Sequence, residues 1–129
     1  MIDPDNPPRW WTVEEANAAL PRVAGVVEQA REAARDLSER ARTVAGRARG
    51  NGHTSPSDET SVFQEAATRL EDEGIVLRDV RQGIVDFPAR AASGRGYWLC
   101  WLVGEPAVTW WHWPEDGFAG RTPLSAPPA

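Results

Sequence analysis

One apolar seam constrains the first third of this chain more than any other feature. Val13, Ala16, Leu20, Val23, Val27, Ala30, Ala34, Leu37, Ala41, Val44 and Ala48 recur at alternating spacings of three and four residues. That spacing holds a stripe on one side of an α-helix. Sustained over roughly five heptads, it is the pattern of a long helix packed in a coiled coil. Alanine dominates the stripe, so the partner helix is expected to approach closely. Thr12-Val13-Glu14-Glu15 supplies a capping box in which the Thr12 hydroxyl accepts from the Glu15 amide and Glu15 reaches back. Trp11 stands just before the cap, in position to act as a hydrophobic staple. Pro21 lacks the amide hydrogen and predicts a kink after two turns. Glu28, Arg31, Glu32 and Arg35 lie off the seam at spacings that support a solvated face.

Gly46 and Gly50-Asn51-Gly52 stop this helix, and Ser55-Pro56 is a cap and first-turn pair for the next. The second helix is expected from about Pro56 to Glu73, with Val62, Phe63, Ala66, Ala67 and Leu70 inward and Gly74 closing it. A short link makes the two helices antiparallel neighbours. His53 in that link has no cysteine or second histidine nearby and reads as an exposed side chain rather than a metal ligand. The second helix is much shorter than the first, so the first must also pack on something else.

From Gly74 the period changes to that of strands. Ile75–Val80, Ile84–Arg90, Tyr97–Val103 and Val108–Trp113 read as strands, with turns at Arg81-Gln82-Gly83, Ser93-Gly94 and Gly104-Glu105-Pro106. The fold class expected is α+β: a long kinked antiparallel helical hairpin (residues 12–74) packed on a four-stranded antiparallel β-meander (residues 75–113). A proline-rich extended arm (residues 1–11) precedes it and a C-terminal coil and tail (residues 114–129) follow. At 129 residues the whole is expected to be one domain.

Turn lengths set which residues share a face. Taking Ser93-Gly94 as a two-residue turn puts Asp86 opposite Trp101. Taking Gly104 to Ala107 as the next loop puts Trp101 opposite Trp110 and Leu99 opposite His112, whereas a three-residue loop swaps the faces of the fourth strand. One face then collects Asp86, Leu99, Trp101, Trp110 and His112. The other collects Val85, Phe87, Trp98, Cys100, Leu102, Trp111 and Trp113. Both faces are apolar, and the helices can cover only one. The other needs the C-terminal coil, the N-terminal arm or a second subunit, so a homodimer is an expected arrangement.

Composition closes off several functions. A net charge of −5 argues against general binding to nucleic acid or an anionic membrane surface. No apolar run approaches the ~20 residues of a membrane span. All fourteen basic residues are arginine, which excludes Schiff-base chemistry, pyridoxal phosphate enzymes and P-loops, since each requires a lysine amine. A lone cysteine and an N-terminus unlike a signal peptide lead to the expectation of a cytoplasmic protein.

The stretch Tyr97–Arg121 concentrates whatever chemistry the chain has. It holds five of the seven tryptophans, the single cysteine, the single tyrosine and one of the two histidines. His112, Asp86, Glu105 and Arg121 are the polar groups embedded in or facing these rings. One reading is a structural network, with Arg121 paired to Glu105 or Asp86 and His112 paired to a carboxylate. The other is a polar patch at the mouth of an aromatic pocket walled by Trp101, Trp110 and Trp111. There His112 is a base or metal ligand, Asp86 or Glu105 orients it, and Arg121 clamps an anion. No HxH, HxxxH or HExxH spacing is present, so no metal or cofactor is assigned. Cys100 lies between apolar neighbours and reads as a packed structural thiol rather than a nucleophile.

The segments WTVEEANAALP (residues 11–21), GIVDFP (83–88), YWLCWLVGE (97–105) and WHWPEDGFAGR (111–121) together resemble the bacterial "domain of unknown function 2203" family. The resemblance rests on Glu14, Asn17, Pro21, Asp86, Cys100, Trp101, Gly104, Glu105, His112, Gly117, Gly120 and Arg121. It implies a helical hairpin with a small antiparallel sheet, and it implies no activity. Trp11 stands where the family more often has phenylalanine, Trp98 and Trp113 are additional rings, and the second helix is short for the family. The function expected is a binding or assembly module with an aromatic surface or pocket and a polar cluster at the sheet end, its ligand small and apolar or aromatic. The alternative is a small enzyme acting on an apolar or aromatic substrate with His112 and Asp86 or Glu105, metal-assisted or not.

Overall fold

The structure is a computed structural model describing residues 2–3, 5–47 and 56–129. The link containing His53 and the seam residue Ala48 lie outside the described residues.

Helix α1 (Val13–Arg47) starts at the expected cap. The Glu15 amide donates to Thr12 Oγ1 at 3.1 Å and the Thr12 amide donates to Glu15 Oε1 at 3.0 Å. The helix continues through Pro21 as one element of 35 residues. Its seam is its core face: Ala16, Leu20, Val23, Val27, Ala30 and Ala34 are buried, and Leu37 and Ala41 half-buried. Helix α2 (Pro56–Glu71) adds Ala66, Ala67 and Leu70 to the same core. Val85, Phe87, Leu99 and Trp101 belong to that core too, so the sheet packs against the seam as well as α2 does. Trp11 joins from the arm, edge-on to Phe87, with its indole N–H donating to the Glu73 carbonyl at 3.0 Å.

The sheet has five antiparallel strands in chain order: β1 (Val76–Asp79), β2 (Ile84–Arg90), β3 (Gly96–Leu102), β4 (Trp110–His112) and β5 (Thr122–Pro123). The four-stranded expectation is thus short by one. Strand β5 lies in the segment expected to be coil, pairing Thr122 with Trp111 and Pro123 with Trp110. Two residues, one of them a proline, are too few to show strand alternation. Strand β4 is shorter than expected, because Val108 is held by α1 instead: its amide donates to the Asn17 side chain at 2.8 Å. Pro88 is tolerated within β2 because it lies past the end of β1. There its carbonyl accepts from the Trp11 amide at 2.7 Å, and no donor is required of it.

The register differs from the expected one at both turns. Arg90 pairs with Gly96 and Ala91 N–H donates to Arg95 O, leaving a three-residue turn, Ala92-Ser93-Gly94. Gly94 takes φ 92°, a conformation that favours glycine in such turns. Asp86 therefore faces Cys100, not Trp101. On the far side of β3, Cys100 faces Trp110 and Trp98 faces His112, one residue from the register of a four-residue loop and in that of the three-residue alternative. The two shifts cancel between β2 and β4, so Asp86 and His112 still share a face. Between them β3 is turned over. Trp98 and Cys100 join Asp86 and His112, while Leu99 and Trp101 point to the helices.

This second face closes within the chain. Trp98, Cys100, Asp86 and His112 are all buried. The Arg78 guanidinium lies over Trp98 at 4.8 Å, and that of Arg121 lies over Trp110 at 4.9 Å and Phe118 at 4.7 Å. Among the described residues, Phe118 is the large apolar side chain left exposed, at 37%. The bare aromatic face that suggested a second subunit is absent among the described residues. None of the described helices is long and apolar enough to cross a membrane.

Candidate functional site: a buried Asp86, Cys100 and His112 cluster and a groove at Pro21

Three neighbouring strands each contribute one chemically active side chain to the face away from the helices. Asp86 from β2, Cys100 from β3 and His112 from β4 are 1%, 0% and 2% exposed. Their potential ligand atoms all lie within 4.8 Å of one another. His112 Nδ1 is 2.8 Å from the Trp113 carbonyl and Nε2 is 2.9 Å from Asp86 Oδ2. Both ring nitrogens thus face acceptors, which suits a ring protonated at both. The His112 pKa is raised accordingly: burial alone lowers it, and the hydrogen bond and charge of Asp86, with the Trp113 carbonyl, outweigh that burial.

Arg78 Nε donates to the same Asp86 Oδ2 at 2.8 Å. Asp86 Oδ1, equally buried, has no hydrogen-bond partner among the described residues. The Cys100 thiol is pushed far up in pKa, first by burial and next by the Asp86 carboxylate, with Arg121 opposing. A thiol held protonated is a poor nucleophile, and His112 has no ring nitrogen free to activate it.

Glu105 and Arg121 form a second, adjoining pair. Arg121 donates to Glu105 Oε1 at 2.6 Å and to the Cys100 carbonyl at 3.3 Å. Glu105 Oε1 also accepts from the Leu102 amide at 2.8 Å, and the Glu105 carbonyl accepts from the Trp101 indole at 3.0 Å. The pair ties the loop after β3 to the segment leading into β5.

The structure therefore divides the residues singled out from sequence into two places. Asp86 and His112 meet, and Glu105 meets Arg121, which also covers Trp110. Trp101 and Trp111 sit on the helix side, in the core. Cys100 enters the cluster although its sequence context pointed only to packing. The signal that would have placed it was the length of the turn before β3.

On the helix side lies a groove of about 510 Å³. Asn17, Leu20, Pro21 and Ala24 of α1 form one wall, and Trp101, Glu105, Pro106 and Ala107 form the other. Asn17 is itself anchored: its amide nitrogen donates to the Val13 carbonyl at 3.1 Å, and its oxygen accepts from Val108.

Two helices on one face of a five-stranded antiparallel sheet, with a closed polar cluster on the other, define a small α+β protein. The chain belongs to the family described as "Uncharacterized conserved protein (DUF2203)", whose pattern matches residues 9–124. No curated protein and no solved structure matches it. Seven of the twelve residues that carried the family resemblance fall on these two features. Asn17, Pro21, Trp101 and Glu105 line the groove, and Asp86, Cys100 and His112 make the cluster.

Proposed function

We propose that this protein is a binding module that takes a small apolar or aromatic molecule in the groove between α1 and the loop after β3. The observation that carries this reading is the groove itself, about 510 Å³ and lined by Trp101 with Leu20, Pro21, Ala24, Pro106 and Ala107. Its volume lies in the range of small-molecule sites and its lining is mostly apolar, and it is open to solvent along one side. Pro21 has no N–H, so the Asn17 carbonyl of α1 lacks its normal helical donor. The other polar groups of the wall are engaged inside the protein, Asn17 with Val108 and Glu105 with Arg121. This supports binding over chemistry in the groove.

The catalytic alternative, with His112 acting beside Asp86 or Glu105, has less support. His112 is buried on the opposite sheet face with both ring nitrogens engaged. The burial of both sheet faces within one chain also supports a monomeric binding unit. Sedimentation of the purified protein tests the oligomeric state directly.

Indole, which is aromatic and carries one N–H, is the probe for the groove. Calorimetric titration of the native protein is expected to show saturable binding. Ala24→Phe, which fills the groove from a half-buried position on α1, is expected to abolish it while leaving the circular dichroism spectrum unchanged. Indole binding of equal strength in Ala24→Phe would sink the assignment.

A further inference from the structure

We infer that Asp86, Cys100 and His112 constitute a binding site for a divalent transition-metal ion of the zinc class. The inference is independent of the groove, which lies on the other face of the sheet. Three observations carry it.

The first is the donor set and its spacing. One carboxylate oxygen, one sulfur and one imidazole nitrogen lie within 4.8 Å of one another. Tetrahedral zinc, with bonds of about 2.0–2.3 Å, separates its ligand atoms by about 3.5 Å. The longest separation therefore has to close by only about 1 Å. Thiolate and imidazole together select zinc or cobalt over magnesium or calcium.

The second is an orphan. Asp86 is 1% exposed; its Oδ2 is shared by Arg78 and His112, and its Oδ1 has no hydrogen bond of normal geometry among the described residues, although the carboxylate interacts with the neighbouring Cys100 thiol. A buried carboxylate oxygen without such a bond is costly. A bound cation removes that cost and leaves the Arg78 contact in place as outer support.

The third is the orientation of His112. Its Nδ1 is tied to the Trp113 carbonyl at 2.8 Å, and Nε2 points at Asp86. A histidine ligand commonly has its distal nitrogen anchored to a backbone carbonyl in this way, which fixes the ring for coordination.

The charges balance. A divalent ion, the Cys100 thiolate and the Asp86 carboxylate sum to zero. Of the two nearby arginines, Arg121 is already paired with Glu105, and the Arg78 side chain is 43% exposed and screened by solvent. On binding, Nε2 exchanges Asp86 Oδ2 for the ion. The protons leaving are that of the thiol and that of Nε2, both to solvent. The described residues supply three donors, and a water completes the fourth position.

The test uses the full chain, treated with chelator, then titrated with Co²⁺ and Zn²⁺. The chain has one cysteine, so any thiolate-to-cobalt charge-transfer band reports Cys100. The expected result is one Co²⁺ per chain with that band, displaced by Zn²⁺. Cys100→Ser is expected to lose the band and weaken Zn²⁺ binding at least about tenfold. Zinc-edge X-ray absorption of the wild-type complex is expected to show one sulfur at about 2.3 Å, which decides the matter even if variants do not fold. A shell of only nitrogen and oxygen, failure to retain an ion through dialysis, or binding abolished by His53→Ala would overturn the site.

Discussion

His112 Nε2 lies 2.9 Å from Asp86 Oδ2 although the two residues belong to β4 and β2, with β3 between them. The contact reaches over Cys100, which is paired to Asp86 on one side and to Trp110 on the other. A buried carboxylate in this position holds two partners at once, the His112 ring and the Arg78 guanidinium. Removing it strands the buried His112 ring, while the partly exposed Arg78 is left to solvent.

Asp86→Ala is therefore expected to destabilise chelator-treated protein by about 3–5 kcal/mol, the range for breaking a buried pair from one side. Urea unfolding monitored by tryptophan fluorescence measures it. Asp86→Asn keeps the shape and an acceptor for Arg78, so its loss is expected to be smaller. Equal stability of Asp86→Ala and wild type would mean that the cluster contributes nothing to the fold.

Much of this architecture is legible in the sequence where the physics is local. The α1 seam and the Thr12 capping box follow from spacing within a few residues, and the structure buries the seam from Ala16 to Ala34 as that spacing requires. Strand β2 runs from Ile84 to Arg90, as its residues indicate. The cluster was only half legible. Asp86 and His112 share the expected face because two one-residue register shifts cancel. Cys100 appeared on the wrong face because a three-residue turn closed by Gly94 cannot be told from a two-residue Ser93-Gly94 turn by composition. Strand β5 was illegible for another reason. Its two residues pair through backbone groups alone, and no side-chain pattern records that.

Glycines at two turns separate strain from clash. Gly83 has φ 77°, and a Cβ built there would lie 2.3 Å from Val103 Cγ2 and 2.8 Å from Val103 Cβ. Gly94 has φ 92° with nothing within 4 Å. Gly94→Ala is expected to cost the left-handed backbone penalty alone, about 1–2 kcal/mol. Gly83→Ala adds overpacking of about 1–3 kcal/mol against β-branched Val103. Thermal unfolding of both variants checks the order, and a Gly94→Ala protein less stable than Gly83→Ala would contradict this account.

Tyr97 gives a clean spectroscopic handle, since it is the only tyrosine in the chain. Its pKa is raised above the ordinary 10, first by burial and then by the negative charge of Glu14. Its ring packs edge-on to Trp111 and Trp113. A raised folded pKa means that the folded state holds the proton more tightly. The resulting stabilisation is fully present below about pH 10 and is lost as pH rises through the folded value. Tyrosinate absorbance is expected to titrate at higher pH in folded than in denatured protein, with Glu14→Gln narrowing the gap. Coincident folded and denatured titrations would show that Tyr97 is effectively solvated.

Asn17 is the residue that joins α1 to the β3–β4 connection and so sets the width of the groove. Its side-chain oxygen accepts the Val108 amide at 2.8 Å, and Val108 is 1% exposed. Asn17→Ala leaves that buried N–H without a partner, a loss of about 1–3 kcal/mol. Asn17→Asp retains an acceptor for the amide and is expected to recover part of the loss, although the carboxylate cannot donate to the Val13 carbonyl as the amide does. Amide hydrogen exchange distinguishes this anchor from general destabilisation. The Val108 amide is expected to lose protection in Asn17→Ala well beyond the amides of β2, and to regain it in Asn17→Asp. If exchange instead rises uniformly across the sheet, Asn17 acts through the stability of α1 as a whole and does not set the position of the groove wall.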